Sequence, residues 1–433
     1  MRISIAQLAL TCLLSLALYS QPVTDLSPAE PLSLDQAVSR ALEQHPQLAS
    51  AAFLAEASKT VVKQTRAAYS PLLNVNASGV EASNQTQIAA GTLQAQGLAS
   101  RFATGFGVSQ LVTDFGRTNK LTDAARLRAE LATETIQTKR LEVVLGVKRA
   151  YYAAQGANAV LTVAKATLQS RQVILRQVQR LTENQLRSTL DQSFAEVSVS
   201  EAELLVQEAE NSLTEAFAAL AAAMGSTETK RYVLETSPTL PELQTDVQAL
   251  IDEAIERRPE LKVARLKQSA EQKSAEAERR GRYPTIRLEG TAGIVPVHAH
   301  SLRDHYAAVG VNVSLPFLNG GIYAARAAEA DLKAKSTGKD AEHTAIQLTL
   351  AVKTTWLQAD TARRRVVVAE KMVQQTQLAH RLAKTRYESG LGGILEVTQA
   401  QLAETSAQIA FANARFDYLS QIANLNFAMG TLQ

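Results

Sequence analysis

The sequence predicts an elongated, mainly α-helical chain with a small β part, written twice. Three observations carry this: proline-punctuated landmarks that recur in one order, proline-free runs of coiled-coil length, and four short segments of alternating apolar and polar residues. The chain opens with Arg2 and an apolar stretch from Ile3 to Ala17, followed by Gln21-Pro22-Val23. This is the pattern of a short secretory signal, so residues 1–20 are expected to be removed. The single cysteine, Cys12, lies in that stretch; a lipid-anchor cysteine is the minor alternative there, since Thr11 rather than a small residue precedes it, and removal with the signal is expected. A mature chain without cysteine excludes disulfides, thiolate metal sites and cysteine nucleophiles.

The duplication is read from landmarks. Leu34 to Leu48, with Pro46, aligns with Val247 to Leu261, with Pro259, at a shift of 213 residues, and Ser70-Pro71 meets Tyr283-Pro284 at the same shift. Leu111 to Gly116 meets Leu315 to Gly320 at 204, and Ala223-Met224-Gly225 meets Ala428-Met429-Gly430 at 205. The first copy is expected over residues 31–225, a linker over 226–243 and the second copy over 244–430.

Within each copy a proline leads into a strand. Leu72 to Val80 follows Pro71; after Pro284, Ile286, Leu288, Ala292 and Ile294 alternate with Arg287, Glu289 and Thr291. Phe102 to Val112 and Ala307 to Leu315 are their partners. About ten residues is the length with which a tilted strand crosses a bilayer. Gly116 and Gly320-Gly321 then mark corners into helices, and Gly225 and Gly430 mark helix ends. Arg117 to Glu183 runs 67 residues, roughly 100 Å at the helical rise. Spacings of seven place candidate seams at Leu161-Leu168-Leu175, Val199-Val206-Leu213-Leu220 and Phe411-Tyr418-Leu425.

Composition excludes whole classes. With 46% hydrophobic and 20% charged residues the chain is neither disordered nor a bundle of membrane helices. Lys and Arg number 45 against 42 Asp and Glu, which gives no basic field for nucleic acid. No phosphate-binding loop, His-Glu-x-x-His or Gly-x-Ser-x-Gly run occurs, so no enzyme activity and no cofactor are expected. His298, His300 and His305 share a loop at a spacing that suits Zn or Cu, but a polar loop is the commoner explanation and no metal site is assigned.

The duplicated Leu-x-x-Ala opening with its Pro-x-Leu, the Pro-led strands, the glycine corners and the run Tyr387-Glu-Ser-Gly-Leu-Gly-Gly-Ile-Leu-Glu396-Val resemble the TolC-like outer membrane factor (outer membrane efflux protein) family. The resemblance covers about residues 31–430. It implies a trimeric outer-membrane β-barrel with four strands per chain, continued by a periplasmic α-helical coiled-coil barrel, with residues 226–243 in an equatorial region. The implied role is the passive exit channel of a tripartite efflux pump or type I secretion system. Implied partners are two further copies in a homotrimer, a periplasmic adaptor (membrane fusion) protein, an inner-membrane RND or ABC transporter, and outer-membrane lipid. The strands agree in part: four cannot close a barrel, so an oligomer is required, and two or three chains give an even strand number. A periplasmic coiled-coil scaffold without channel activity is the alternative.

The turns between the long helices, Thr182 to Asp191 and Tyr387 to Glu396, align at a shift of 205. The resemblance implies a periplasmic gate there, with Asp191 and Tyr387 at gate positions and Glu396 at an acidic entrance position. An arginine of the family's latch is replaced by Gly392 and a second acid by Gln399, leaving Arg187 or Arg386 as candidates to take over. Read from the residues alone, Asp191 and Glu396 are equally helix-start acids facing the N-terminal dipole. Tyr69, Phe115, Tyr283 and Phe317 fall where strand meets helix, either as an interfacial girdle or as corner packing.

Overall fold

The computed structural model describes residues 30–81, 89–90, 93–94, 100–228, 230–235, 239–297 and 303–432. The expected signal segment with Cys12, and His298 and His300, lie outside them.

The chain passes twice through one order of elements. The first pass runs β1 (Glu30–Leu32), α1 (Leu34–Gln44), α2 (Pro46–Arg66), β2 (Leu72–Val80), the two-residue pair β3 (Ala89–Ala90) and β4 (Leu93–Gln94), β5 (Arg101–Thr113), α3 (Arg117–Glu183) and α4 (Thr189–Ala223). The second runs β6 (Tyr232–Leu234), α5 (Val247–Arg257), α6 (Pro259–Arg280), β7 (Thr285–Val297), β8 (His305–Ser314), α7 (Ile322–Glu388) and α8 (Ile394–Met429). Local chemistry sets the starts. Ser33 and Gln36 form a reciprocal capping box on α1, and Asp246 accepts from the Gln248 and Ala249 amides on α5. Pro46 and Pro259 break each opening helix in two, because proline has no N–H and holds His45 and Arg258 extended.

The long strands form one antiparallel sheet in the order β2-β5-β7-β8. Leu73 opposes Val108, Val75 opposes Phe106, Leu288 opposes Val311 and Ile286 opposes Val313, so these side chains share one apolar face. Asn74 opposes Gly107, Asn76 opposes Gly105, Arg287 opposes Asn312 and Glu289 opposes Ser109 and Gly310, which makes the other face polar and glycine-rich. The apolar face is uncovered: Val75, Val309 and Val311 are 68%, 79% and 64% exposed. An apolar sheet face with no protein over it suits lipid. No described helix is long and apolar enough to cross a membrane.

The helices form a layered slab continuous with the sheet. Towards the strands α2, α3, α6 and α7 pack side by side; away from them the order is α4, α3, α8, α7. β1 and β6 pair in parallel at mid-height, where Leu32, Tyr151, Phe217 and Leu220 form the largest core. The Tyr151 hydroxyl donates to Leu32 O at 2.9 Å, the Tyr418 hydroxyl to Pro241 O at 2.6 Å and Trp356 Nε1 to Gln244 O at 2.7 Å. These bonds tie β1 and the segment between β6 and α5 to the helices.

Two sequence expectations need correction. The seam of α3 is Leu161, Ala164, Thr167, Arg171, Ile174 and Val178, so Leu161 lies in it as expected while Leu168 and Leu175 are half-buried on its flank. In α4 it is Ala195, Ser198, Ala202, Ala209, Phe217 and Leu220, so Leu220 lies in it as expected while Val199, Val206 and Leu213 stand beside it. Over the middle of the pair, small residues such as Ala164, Thr167, Ser198 and Ala202 take the line between the helix backbones, and Leu168, Val199 and Val206 cover its edges. The corner register is 205 rather than 204. Asp114 and Asn319 each accept, at 3.1 Å, the amide of the residue two positions on, and Phe115 (φ 53) and Gly116 (φ 87) take the left-handed places of Gly320 (φ 59) and Gly321 (φ 82). A glycine was the visible landmark, but the acceptor side chain before the turn fixes the alignment.

Candidate gate at the helical tips

The turns joining α3 to α4 and α7 to α8 lie at the end of the slab farthest from the sheet, and their backbones match. In the first, the Leu186 amide donates to Leu181 O at 2.8 Å and the Gln185 amide to Thr182 O at 2.9 Å; in the second, Leu391 donates to Arg386 O at 2.9 Å and Gly390 to Tyr387 O at 3.1 Å. Both are left-handed helix endings, centred on Gln185 (φ 58) and Gly390 (φ 74). Each throws a leucine outward: Leu186 is 70% and Leu391 75% exposed. The matched left-handed pair was hidden from the sequence because Gln185 is not a glycine.

The five candidate residues fall into two groups. Arg187 leaves the first turn and reaches Tyr387 in α7. Its Nη2 donates to Tyr387 O at 3.1 Å and its guanidinium carbon stands 4.5 Å from the ring centroid. A cation over an aromatic face contributes about 0.5–2 kcal/mol, the upper end when desolvated. Tyr387 is buried among Ile174, Val178, Ala195, Ile394 and Val397. That burial raises its pKa above the ordinary phenol value; Arg187 opposes the rise and Asp191 adds to it. The Tyr387 hydroxyl has no hydrogen-bond partner among the described residues. Asp191 sits in the first turn of α4, near enough to Tyr387 to act on it, and among the described residues makes no salt bridge.

The second group is looser. Arg386 Nε lies 3.7 Å from Glu396 Oε2, with both side chains more than half exposed, so the pair contributes at most about 1 kcal/mol. Glu396 is in the first turn of α8. At Gly392 a Cβ would stand 3.1 Å from Glu396 Oε2, 3.3 Å from Arg386 Cβ and 3.4 Å from the Tyr387 amide. A longer side chain there has to displace Arg386 and Glu396. Arg187 therefore holds Tyr387, and Arg386 holds Glu396.

Polar ties above the tips escaped the sequence reading. Thr167 Oγ1 meets Thr405 Oγ1 at 3.1 Å and Gln401 Nε2 donates to Ser170 Oγ at 3.0 Å, linking α3 to α8. His380 Nδ1 and Glu404 Oε2 are 2.5 Å apart between α7 and α8. Thr and Gln on the helix-helix seam are the signal in the sequence, masked there by leucines at heptad spacing.

A family model described as outer membrane efflux protein matches residues 37–226 and 250–431, most of the chain. The chain belongs to the outer membrane efflux protein family. This efflux protein is 26% identical over 402 residues to outer membrane protein OprJ of Pseudomonas aeruginosa, covering 92% of this chain and 84% of that one. To outer membrane protein TolC of Escherichia coli K12 it is 24% identical over 199 residues, 43% of this chain and 40% of TolC. The fold of the efflux protein matches the solved structure of CusC with a TM-score of 0.79 at 18% identity, covering 95% and 98% of the two chains. A membrane protein of Pseudomonas aeruginosa gives 0.78 at 24% identity, covering 95% and 96%. The efflux protein resides in the cell outer membrane and extends into the periplasm.

Proposed function

We propose that this efflux protein is the passive exit duct of a tripartite pump or type I secretion system, a homotrimer that opens at its periplasmic tips and has no enzymatic role. The observation that carries this is the pair of unfinished edges. The sheet ends in β2 on one side and β8 on the other, each with a row of unpaired backbone groups, and in lipid each such group costs several kcal/mol. The helical slab ends the same way, in α2 and α4 on one side and α7 on the other. A head-to-tail ring joins these unlike edges, and three copies give a twelve-stranded barrel, within the even-numbered range of such barrels.

The helical edges are complementary. α4 carries seven acids and no Lys or Arg. The tip half of α7, from Thr361 to Glu388, carries seven basic residues and two acids. Their apolar side chains match in height. Val197 follows Gln185 by 12 residues and Leu378 precedes Gly390 by 12; Phe194 follows by nine and Leu382 precedes by eight; all four are exposed in the isolated chain. Glu203 and Lys371 then lie within about one residue of the same level.

Energy for transport would come from an inner-membrane RND or ABC transporter, through a periplasmic adaptor. A soluble scaffold would leave the apolar sheet face uncovered. The test is purification in detergent and reconstitution in a planar bilayer. A trimer that conducts is expected; Glu203→Lys weakens it and adding Lys371→Glu restores it. A monomeric, non-conducting protein that stays soluble without detergent overturns the proposal.

A further inference from the structure

At the junction of sheet and helices the sequence breaks a local rule. Phe115 adopts φ 53, a left-handed conformation that costs a bulky residue about 1 kcal/mol or more, at the place where the second copy uses Gly320. Its ring is half exposed and lies against Tyr283, with centroids 6.2 Å apart. A strained, solvent-facing aromatic does not repay its cost through core packing, which directs attention to what it lines.

It lines a cleft of about 440 Å³ whose other walls are Glu276, Arg279, Arg280, Arg282 and Tyr283. Arg279 is spent on Asp331, at 2.6 Å. Glu276, the one carboxylate, is neutralised by Lys120 at 2.6 Å and Lys273 at 2.9 Å. Arg280 gives Nη1 to Phe115 O at 3.1 Å, which pins the guanidinium over the corner, and makes no ion pair among the described residues. Arg282 lies 5.6 Å from the Tyr283 ring centroid and likewise has no carboxylate partner there. Two cations free of carboxylates thus flank two exposed aromatic rings. The lipid-suited face of β7 begins at Ile286, three residues beyond Tyr283. The first copy repeats the charge at this level, with Lys63 and Arg66 exposed in the last turn of α2.

We propose that this cleft seats the headgroup of an anionic phospholipid from the membrane leaflet facing the periplasm. Arg280 and Arg282 share the two charged oxygens of the phosphodiester, Phe115 and Tyr283 cover the glycerol region, and the acyl chains run toward the apolar face of β7. Phosphate recognition by a pinned guanidinium is geometrically selective, and aromatic rings favour the headgroup level. The level matters: the helices are periplasmic, so this end of the strands meets the periplasm-facing leaflet. The proposal rests on the membrane placement of the strands and not on the gate.

The test is native mass spectrometry of the delipidated oligomer titrated with phosphatidylglycerol and, in parallel, phosphatidylethanolamine, with glycerol phosphate as a headgroup without chains. Wild type is expected to retain phosphatidylglycerol preferentially, with glycerol phosphate failing to compete. Arg280→Gln with Arg282→Gln should reduce the preference by about fivefold for each arginine removed. Arg282→Lys should keep most of it, and Phe115→Gly, which relieves the backbone, should weaken retention of both lipids. An unchanged preference in the double variant overturns the proposal, as does glycerol phosphate competing as well as the lipid. Oligomer size and conductance recorded on the same samples separate the two readings: an intact conducting oligomer without lipid preference sinks only this one.

Discussion

In the first-copy tip Arg187 leaves the turn and reaches Tyr387, whereas at the equivalent place in the second-copy tip Gly392 offers no side chain. Ser188 caps α4 by accepting the Leu190 amide at 3.1 Å, while its counterpart Gly393 leaves α8 without a side-chain cap. Two turns of one backbone therefore divide the work. The first holds itself and supplies the arm; the second is softer at its helix start and is held from outside. The two turns keep one geometry, and divergence at two positions leaves the pair of tips asymmetric.

Substitutions at Tyr387 strain that comparison most. Tyr387→Ala empties a buried site, a loss of about 3–5 kcal/mol by analogy with large-to-small core changes. Closed-state conductance in planar bilayers is expected to rise severalfold. Tyr387→Phe should stay within about twofold of wild type, since the hydroxyl has no described partner. If Phe opened the tip as far as Ala, the hydroxyl rather than the stacked ring would be holding it. Arg187→Ala should fall between them, losing about 2 kcal/mol of stacking and hydrogen bonding.

Charge comes next. Asp191→Asn with Glu396→Gln should lower cation preference in ion-selectivity recordings, most clearly at low salt. Unchanged selectivity would leave both residues as helix-start acids. The pH response follows from Tyr387. Its raised pKa means that the packed tip holds the proton more tightly than an exposed phenol does. That stabilisation is complete below the ordinary phenol pKa of about 10 and is lost as pH rises through the raised value. Conductance recorded against pH should therefore show no tyrosine-linked opening from neutrality to about pH 9, and opening only in stronger alkali. The smallest effects belong to the caps. Ser188→Ala should weaken the start of α4 by about 1 kcal/mol, and Gly393→Ser should firm the start of α8 by a few tenths to about 1 kcal/mol. A Cβ at Gly393 meets no atom within 4 Å, so the second change is tolerated. Hydrogen exchange of the first amides of each helix reads both.

The sequence made the fold legible where a residue type has one structural meaning. Pro46 and Pro259 marked the repeated opening, Pro71 and Pro284 with the alternation after them marked the strands, and the proline-free run from Arg117 gave the limits of α3. It misled where meaning depends on neighbours. Leu168 and Leu175 look like a seam by spacing alone, but Ala164 and Thr167 occupy it because the helices approach closely. The resemblance points to Asp191, Glu396 and Tyr387 as candidate positions, while the pairing of Arg187 with Tyr387 and of Arg386 with Glu396 depends on the three-dimensional path of the turns. The strain at Phe115 was invisible, because a backbone angle has no letter.

The acidic edge of α4 is expected to meet the basic edge of α7 in the next copy, closing a ring of three. Cys12 is the only native cysteine and lies in the expected signal, so paired cysteines at Val197 and Leu378 report on that contact without interference. The two positions sit on opposite edges of one chain and are expected to cross-link only between copies. Oxidation of Val197→Cys with Leu378→Cys should convert the protein to a covalent trimer on denaturing gels, while either single variant stays monomeric. A double variant that remains monomeric, or stops at a dimer, would contradict the account.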